Sequence, residues 1–154
     1  MSQAAKDRLL LKNARVFFGT SADASTENAN ILIEAGRITA VAPGLAAPPG
    51  SRVADVGAGS GYYTVRLAKR VGPTGRVYAT DIQREMLVLI ERRIKRDDIR
   101  NVELVLGTDA EPGLPTGSLD LILMVDVYHE LARPQAMLEQ LKAALKPDGR
   151  LVLI

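Results

Sequence analysis

The segment Arg52 to Gly61 constrains this chain more than any other. A short apolar strand, Arg52 to Val56, runs straight into Gly57-Ala58-Gly59-Ser60-Gly61, and a helical pattern follows. Glycine at three alternate positions lets a ligand touch backbone where a β-carbon would clash. The helix that follows points its free N–H groups back toward the loop. The arrangement serves either a ligand site or a tight strand-to-helix turn with no ligand.

Strands and helices then alternate along the chain. Tyr63 to Val71 carries Val65, Ala68 and Val71 at helical spacing, and Gly75 to Thr80 is a second strand. Gln83 to Arg96 is a helix with Met86, Leu87, Ile90 and Ile94 on one face. Val102 to Leu106 and Leu119 to Val125 are further strands, the latter apolar almost throughout. Pro134 to Leu145 is a helix, Pro147-Asp148-Gly149 a turn, and Arg150 to Ile154 opens a fifth strand. This alternation predicts an α/β fold, a doubly wound, mostly parallel Rossmann-like sheet. Aromatics are few and tryptophan is absent, so the core must be aliphatic, as suits strands buried on both faces.

The first fifty residues have another pattern. Leu9 to Phe18, Asn30 to Glu34 and Arg37 to Val41 read as strands, the last two joined by Ala35-Gly36 at hairpin length. Gly19 to Asn28 reads as a loop. The expected organisation is an N-terminal β segment over 1–42, a Pro/Gly linker over 43–50 and a nucleotide-binding core over 51–154.

Composition excludes several chemistries. There is no cysteine, hence no disulfide and no thiolate nucleophile, and the single histidine, His129, cannot build a multi-histidine metal site. The net charge of +2 does not call for nucleic acid. Arg92, Arg93, Lys95, Arg96 and Arg100 are interrupted by Asp97 and Asp98 and read as a solvated helix face. No apolar run reaches the roughly 20 residues of a membrane span, and Met1 to Arg8 has no apolar leader core. A cytoplasmic location, with neither nucleic-acid nor membrane partners, is the expectation.

Glycine spacing separates the ligand classes. Dinucleotide folds use Gly-x-Gly-x-x-Gly, whereas the third glycine here comes one residue earlier. The Lys-Ser/Thr pair of a phosphate-binding P-loop is missing. Asp55 stands two residues before the first glycine, where a pyrophosphate has no use for a carboxylate. A ligand carrying an ammonium and a sulfonium does.

At this point the residues resemble the class I S-adenosylmethionine-dependent methyltransferases. Val53 to Gly61 is similar to their first motif, Tyr78-Ala79-Thr80-Asp81-Ile82 to their second, Gly107 to Ala110 with Leu119 to Ile122 to the third-strand end and fourth strand, and Leu145 to Leu151 to the turn before strand five. The resemblance implies S-adenosyl-L-methionine as cofactor and a small-molecule acceptor. It implies that Gly57, Gly59 and Gly61 lie against the methionine and ribose parts. Asp55 would hold the amino group, or else cap nearby backbone N–H groups. Asp81 would accept from both ribose hydroxyls or serve only as a turn residue. Ile82 would pack on adenine, with Thr108, Asp109 and Ala110 at the adenine edge. Tyr62 or Tyr128 would face the sulfonium or simply pack. Asp126 would face the cofactor or the acceptor. His129 would be the general base if the acceptor must lose a proton, or else bond locally.

Two further readings concern the chain's ends. Residues 9–50 resemble the N-terminal β-segment of amidohydrolases such as imidazolonepropionase-like enzymes, without the barrel or its His-x-His metal pair. The methyltransferase fold normally continues beyond strand five with a helix and an antiparallel strand pair, so the resemblance implies a shortened core. Its bare edge would be covered by the N-terminal strands, in cis or from a second copy in a homodimer. The competing reading is a non-catalytic S-adenosylmethionine-binding or assembly module from a truncated or fused domain.

Overall fold

The computed structural model describes residues 8–17, 25–34, 37–43 and 47–153, with side chains described over 47–153. The chain divides into two compact units, Met1–Ala46 and Ala47–Ile154. In the first, β1 (Arg8–Phe17), β2 (Ser25–Glu34) and β3 (Arg37–Pro43) form an antiparallel sheet in the order β1-β2-β3. The second strand begins five residues earlier than hydrophobic pattern suggests, because Phe17 pairs with Ser25 and Val16 with Thr26. Strand pairing extends the ladder through polar residues that period alone reads as loop. The Ala35-Gly36 turn lies outside the described residues.

The second unit holds β4 (Arg52–Val56), α1 (Tyr62–Val71), β5 (Arg76–Asp81), α2 (Arg84–Arg96), β6 (Val102–Leu106), β7 (Leu119–Met124), α3 (Pro134–Ala144) and β8 (Leu145–Leu153). Its strands run parallel in the order β6-β5-β4-β7-β8. The α/β doubly wound fold is therefore present. Strand order reverses beside β4, and such a switch point opens a crevice at the carboxyl ends of the strands. The glycine loop leaves β4 at that point.

Burial follows strand position. Val53, Ala54, Val77, Ala79, Leu119 and Ile122 are fully buried on the central strands. Edge strand β6 is only half-buried. Helix α1 buries Thr64, Val65, Ala68 and Val71, and its C-terminus is held by Asn101, whose Nδ2 donates to the Ala68 and Gly72 carbonyls at 2.9 and 2.8 Å. Helix α3 opens on Pro134, whose missing N–H is no loss in a first turn, and buries Met137, Leu141 and Ala144 against β7.

In this unit β8 differs from expectation. The Pro147-Asp148-Gly149 turn lies within β8, as an irregularity between the Leu119–Leu145 and Leu121–Arg150 pairs. Lys146 Nζ donates to Asp120 Oδ1 at 2.6 Å, and the close approach to β7 needs glycine, since a β-carbon at Gly149 would stand 2.6 Å from the Leu119 carbonyl oxygen. Among the described residues, β8 is the edge strand beside β7 in this sheet.

Candidate functional site

The crevice at the switch point is a cleft of about 460 Å³. It is lined from β4 and its loop by Val56, Gly57 and Gly59, from the end of β5 by Thr80, Asp81, Ile82 and Gln83, and from the end of β6 by Gly107, Thr108 and Asp109. The segment after β7 adds Val125, Asp126, Val127, Glu130, Leu131 and Ala132. Four carboxylates line it, and no lysine or arginine does among the described residues.

The floor is organised by backbone. Gly57 and Ala58 N–H groups both donate to the Thr80 carbonyl, at 2.9 and 3.1 Å, which ties the loop across to β5. Gly57 has φ +68, and a β-carbon there would lie 2.5 Å from Val127 Cγ2. Gly59 has φ +51 and nothing within 4 Å of such a carbon, so this is the place where the loop stands open. Gly61 does not line the cleft; its bare face admits Ile90 of α2, whose Cγ1 would be 2.9 Å from a β-carbon.

Asp81 is buried and central. Its Oδ2 accepts from the Gly59 N–H and its Oδ1 from the Gln83 N–H, both at 2.9 Å. Each carboxylate oxygen has about two acceptor positions, so each retains one for a ligand hydroxyl. The Gln83 contact is an Asx turn into α2, which makes both the turn reading and the ligand reading of Asp81 structurally compatible.

Asp55 is placed differently. It does not line the cleft and is only 3% exposed. The Thr64 hydroxyl donates to its Oδ2 at 2.6 Å. Burial pushes its carboxyl up from the ordinary 3.8 to about 6; the Thr64 hydroxyl and N–H pull it back, and the Asp81 charge raises it further. This has a sign for stability. The folded state holds the proton more tightly than the unfolded chain. The stabilisation belongs to the protonated form, is fully present below pH 3.8 and is lost as pH rises through about 6. For one such group that is about 3 kcal/mol. Urea unfolding of wild type and Asp55→Asn is therefore expected to show the variant gaining about 2 kcal/mol relative to wild type between pH 4.5 and 7. A constant difference across that range would show Asp55 to be ionised throughout.

The other sequence-derived candidates divide. Ile82 lines the cleft at 62% exposure, an apolar face left open. Thr108 lines it too, but its hydroxyl is occupied by the Ala110 and Glu111 N–H groups, and Ala110 itself lies off the cleft. Asp109 lines it, with Oδ2 3.5 Å from Arg133 Nε. Tyr62 lies off the cleft with the Arg66 guanidinium 3.5 Å over its ring, and Tyr128 also lies off it. Asp126 lines the cleft in a left-handed conformation, φ +55, which aspartate tolerates better than most residues. His129, in the short 3-10 turn Tyr128–Glu130, is exposed and outside the lining; its Nδ1 is 3.7 Å from Asp126 Oδ1 and its Nε2 3.9 Å from Glu130 Oε1. Sequence reading missed Gln83, Val127 and Glu130 as lining residues and Thr64 as the partner of Asp55. Only Gln83 carried a signal, as the residue two beyond an aspartate at a helix start.

A doubly wound sheet whose switch-point cleft combines a glycine loop with a strand-end carboxylate defines a nucleotide-binding α/β domain. The family described as methyltransferase domain matches residues 54–151, and the chain belongs to that family. Curated relatives include the demethylmenaquinone methyltransferases of Geobacillus sp. (strain WCH70), 28% identical, and Listeria welshimeri, 30% identical, each over 105 residues. Both alignments cover 68% of this chain, and 45% and 44% of the respective relatives, so the chain spans less than half of their length. A SAM-dependent methyltransferase of Aquifex aeolicus shares the fold with a TM-score of 0.66 and 37% identity, over 69% of this chain and 56% of that one. An arsenic (III) S-adenosylmethionine methyltransferase from Chlamydomonas reinhardtii does so with a TM-score of 0.64 and 27% identity, over 70% and 39%.

Proposed function

We propose that this chain binds S-adenosylmethionine in the switch-point cleft and transfers its methyl group to a small-molecule acceptor. The observation that carries the reading is Asp81. It is a buried carboxylate at the end of β5 with both oxygens organised by backbone N–H groups and each with acceptor capacity left over. Three other features fit the same ligand. Gly59 leaves the loop open, Ile82 offers an apolar face for a base, and the charged groups of the lining, all of them acidic, favour a cation. The demethylmenaquinone relatives support a small-molecule acceptor.

In this reading Asp81 holds the ribose hydroxyls, Gly59 admits the ligand's middle with Gly57 lining the cleft beside it, and Ile82, Thr108 and Asp109 flank the base. When bound, the cofactor supplies an already activated methyl group, so orientation of the acceptor provides much of the rate. Asp126, Val127, Glu130 and Leu131 wall the cleft after β7 and would present the acceptor. His129 beside Asp126 would take a proton from an acceptor that must lose one. His129→Gln is then expected to lower turnover of a protic acceptor about 100-fold and to leave cofactor affinity unchanged. Equal loss of affinity and turnover would remove His129 from the proton-transfer role.

Calorimetric titration with S-adenosylmethionine, S-adenosylhomocysteine and NAD tests the cofactor reading. Binding of the two sulfur ligands and not of NAD is expected; no heat from either sulfur ligand at millimolar concentration would overturn it. Binding without transfer to any acceptor would leave a binding module instead of an enzyme.

A further inference from the structure

The cleft and the glycine loop leave one buried polar pair unexplained, Asp55 and Thr64. Both side chains are inside the unit, Thr64 wholly so, and neither lines the cleft. Helix α1 begins at Gly61, which has no side chain with which to cap the first turn. A helix start without a cap leaves its first N–H groups without partners and its entry angle poorly held. The end of β4 reaches this first turn from outside the helix, where the Thr64 hydroxyl and N–H both act on the Asp55 carboxylate. Asp55 lies in β4, pairs in register with Ala79 and Leu123 on both sides, and reaches Thr64 in the first turn of α1 at 2.6 Å. The five-residue loop between is thereby pinned at both ends, by the sheet at Asp55 and by the helix at Thr64.

We propose that Asp55 and Thr64 act together as positioning residues, fixing the angle at which α1 leaves the glycine loop, and that neither touches the ligand. The inference rests on the S-adenosylmethionine reading of the cleft. It assigns contact with the ligand to Asp81 and support of the loop to Asp55. The two carboxylates are neighbours in charge as well as in space, since Asp81 is the charged group that acts on Asp55. The buried Asp55 offers no surface to an ammonium in the cleft.

Two ligands distinguish support from contact. S-adenosylhomocysteine carries the amino group and methylthioadenosine lacks it. Thr64→Val removes the hydroxyl donor and keeps the shape. It is expected to weaken both ligands alike, about tenfold, with Thr64→Ser restoring both. Asp55→Asn is expected to leave the ratio of the two affinities unchanged. A loss confined to S-adenosylhomocysteine in Asp55→Asn would show direct contact with the amino group and overturn the proposal, as would wild-type affinities in Thr64→Val.

A second measurement is independent of any ligand. Amide hydrogen exchange of Gly57 to Tyr63 should quicken in Thr64→Val and return to normal in Thr64→Ser. The Asp55 carboxyl, followed by carbon NMR, should titrate at higher pH in Thr64→Val, because the lost hydrogen bond lowers its value in the wild type. Unchanged exchange and titration would overturn the positioning role. If neither ligand binds the wild type, the cofactor reading fails and the exchange experiment still decides the role of the pair.

Discussion

Asp81→Asn is expected to weaken S-adenosylmethionine binding by at least about 100-fold while leaving the domain folded. The argument is one of donors and acceptors. Both Asp81 oxygens accept a backbone N–H, from Gly59 and from Gln83. An amide side chain has one acceptor oxygen and one NH2 group. Whichever way it turns, the NH2 faces one of those N–H groups, and donor meets donor. The backbone must then withdraw at Gly59 or at Gln83. A ligand diol loses one charge-assisted acceptor as well. A hydrogen bond to a charged group contributes about 1.5–3 kcal/mol, so losing that and the preorganised loop together comes to about 3 kcal/mol, or roughly two decades in Kd. Titration calorimetry reads the affinity, and far-ultraviolet circular dichroism checks the fold. Undiminished affinity in a folded variant would remove Asp81 from the binding site. Asp81→Glu is no rescue, since the longer side chain moves the carboxylate off both N–H groups.

The second large effect is a contrast between two glycines two residues apart. Gly57→Ala is expected to destabilise the domain by about 3 kcal/mol. The left-handed conformation costs an alanine about 1–2 kcal/mol. The new methyl group would also stand 2.5 and 2.7 Å from the two γ-carbons of Val127 and 3.1 Å from its β-carbon, so no rotamer of the valine clears it, and such overpacking costs about 1–3 kcal/mol. Gly59→Ala bears only the conformational cost, about 1 kcal/mol, because nothing lies within 4 Å of the added carbon. Gly59 itself lines the cleft. Gly59→Ala is therefore expected to fold nearly as well as wild type and to lose ligand binding about 100-fold, because its methyl group occupies the ligand's place. Thermal unfolding and calorimetry on both variants separate the two effects. A Gly59→Ala protein with normal affinity would move the ligand away from the loop. Gly61→Ala belongs with Gly57→Ala, since its clash is with Ile90 in the core that α2 forms with β5 and the glycine loop.

These contrasts show where sequence reading was sufficient. The order of strands and helices from β4 to β8 was legible because each carries its own hydrophobic period, 2 or about 3.6, and local punctuation marks its ends. The glycine loop was legible because three alternate glycines after a strand answer a backbone requirement that other residues meet poorly. Asp81 was legible as the acidic end of a strand. The polar start of β2 was not, because its residues are drawn into a strand by their partners on β1 and not by their own period. The irregular course of β8 through Pro147-Asp148-Gly149 was not, because a long-range pair, Lys146 with Asp120, holds that turn to β7.

The three glycines were alike on paper, and the sequence by itself determined that a glycine loop joins β4 to α1, that Asp55 stands two residues before it and that Asp81 ends the following strand. Only the tertiary structure decided that Gly57 makes room for Val127, Gly61 for Ile90, and Gly59 for nothing the described chain supplies. It likewise placed one carboxylate in the cleft and buried the other against Thr64. The reason is physical. Backbone requirements and hydrophobic period are properties of neighbouring residues. Which side chain fills the space beside a glycine, and which donor faces a carboxylate, depends on segments brought together from 9 to some 70 residues away, and no local pattern carries that information.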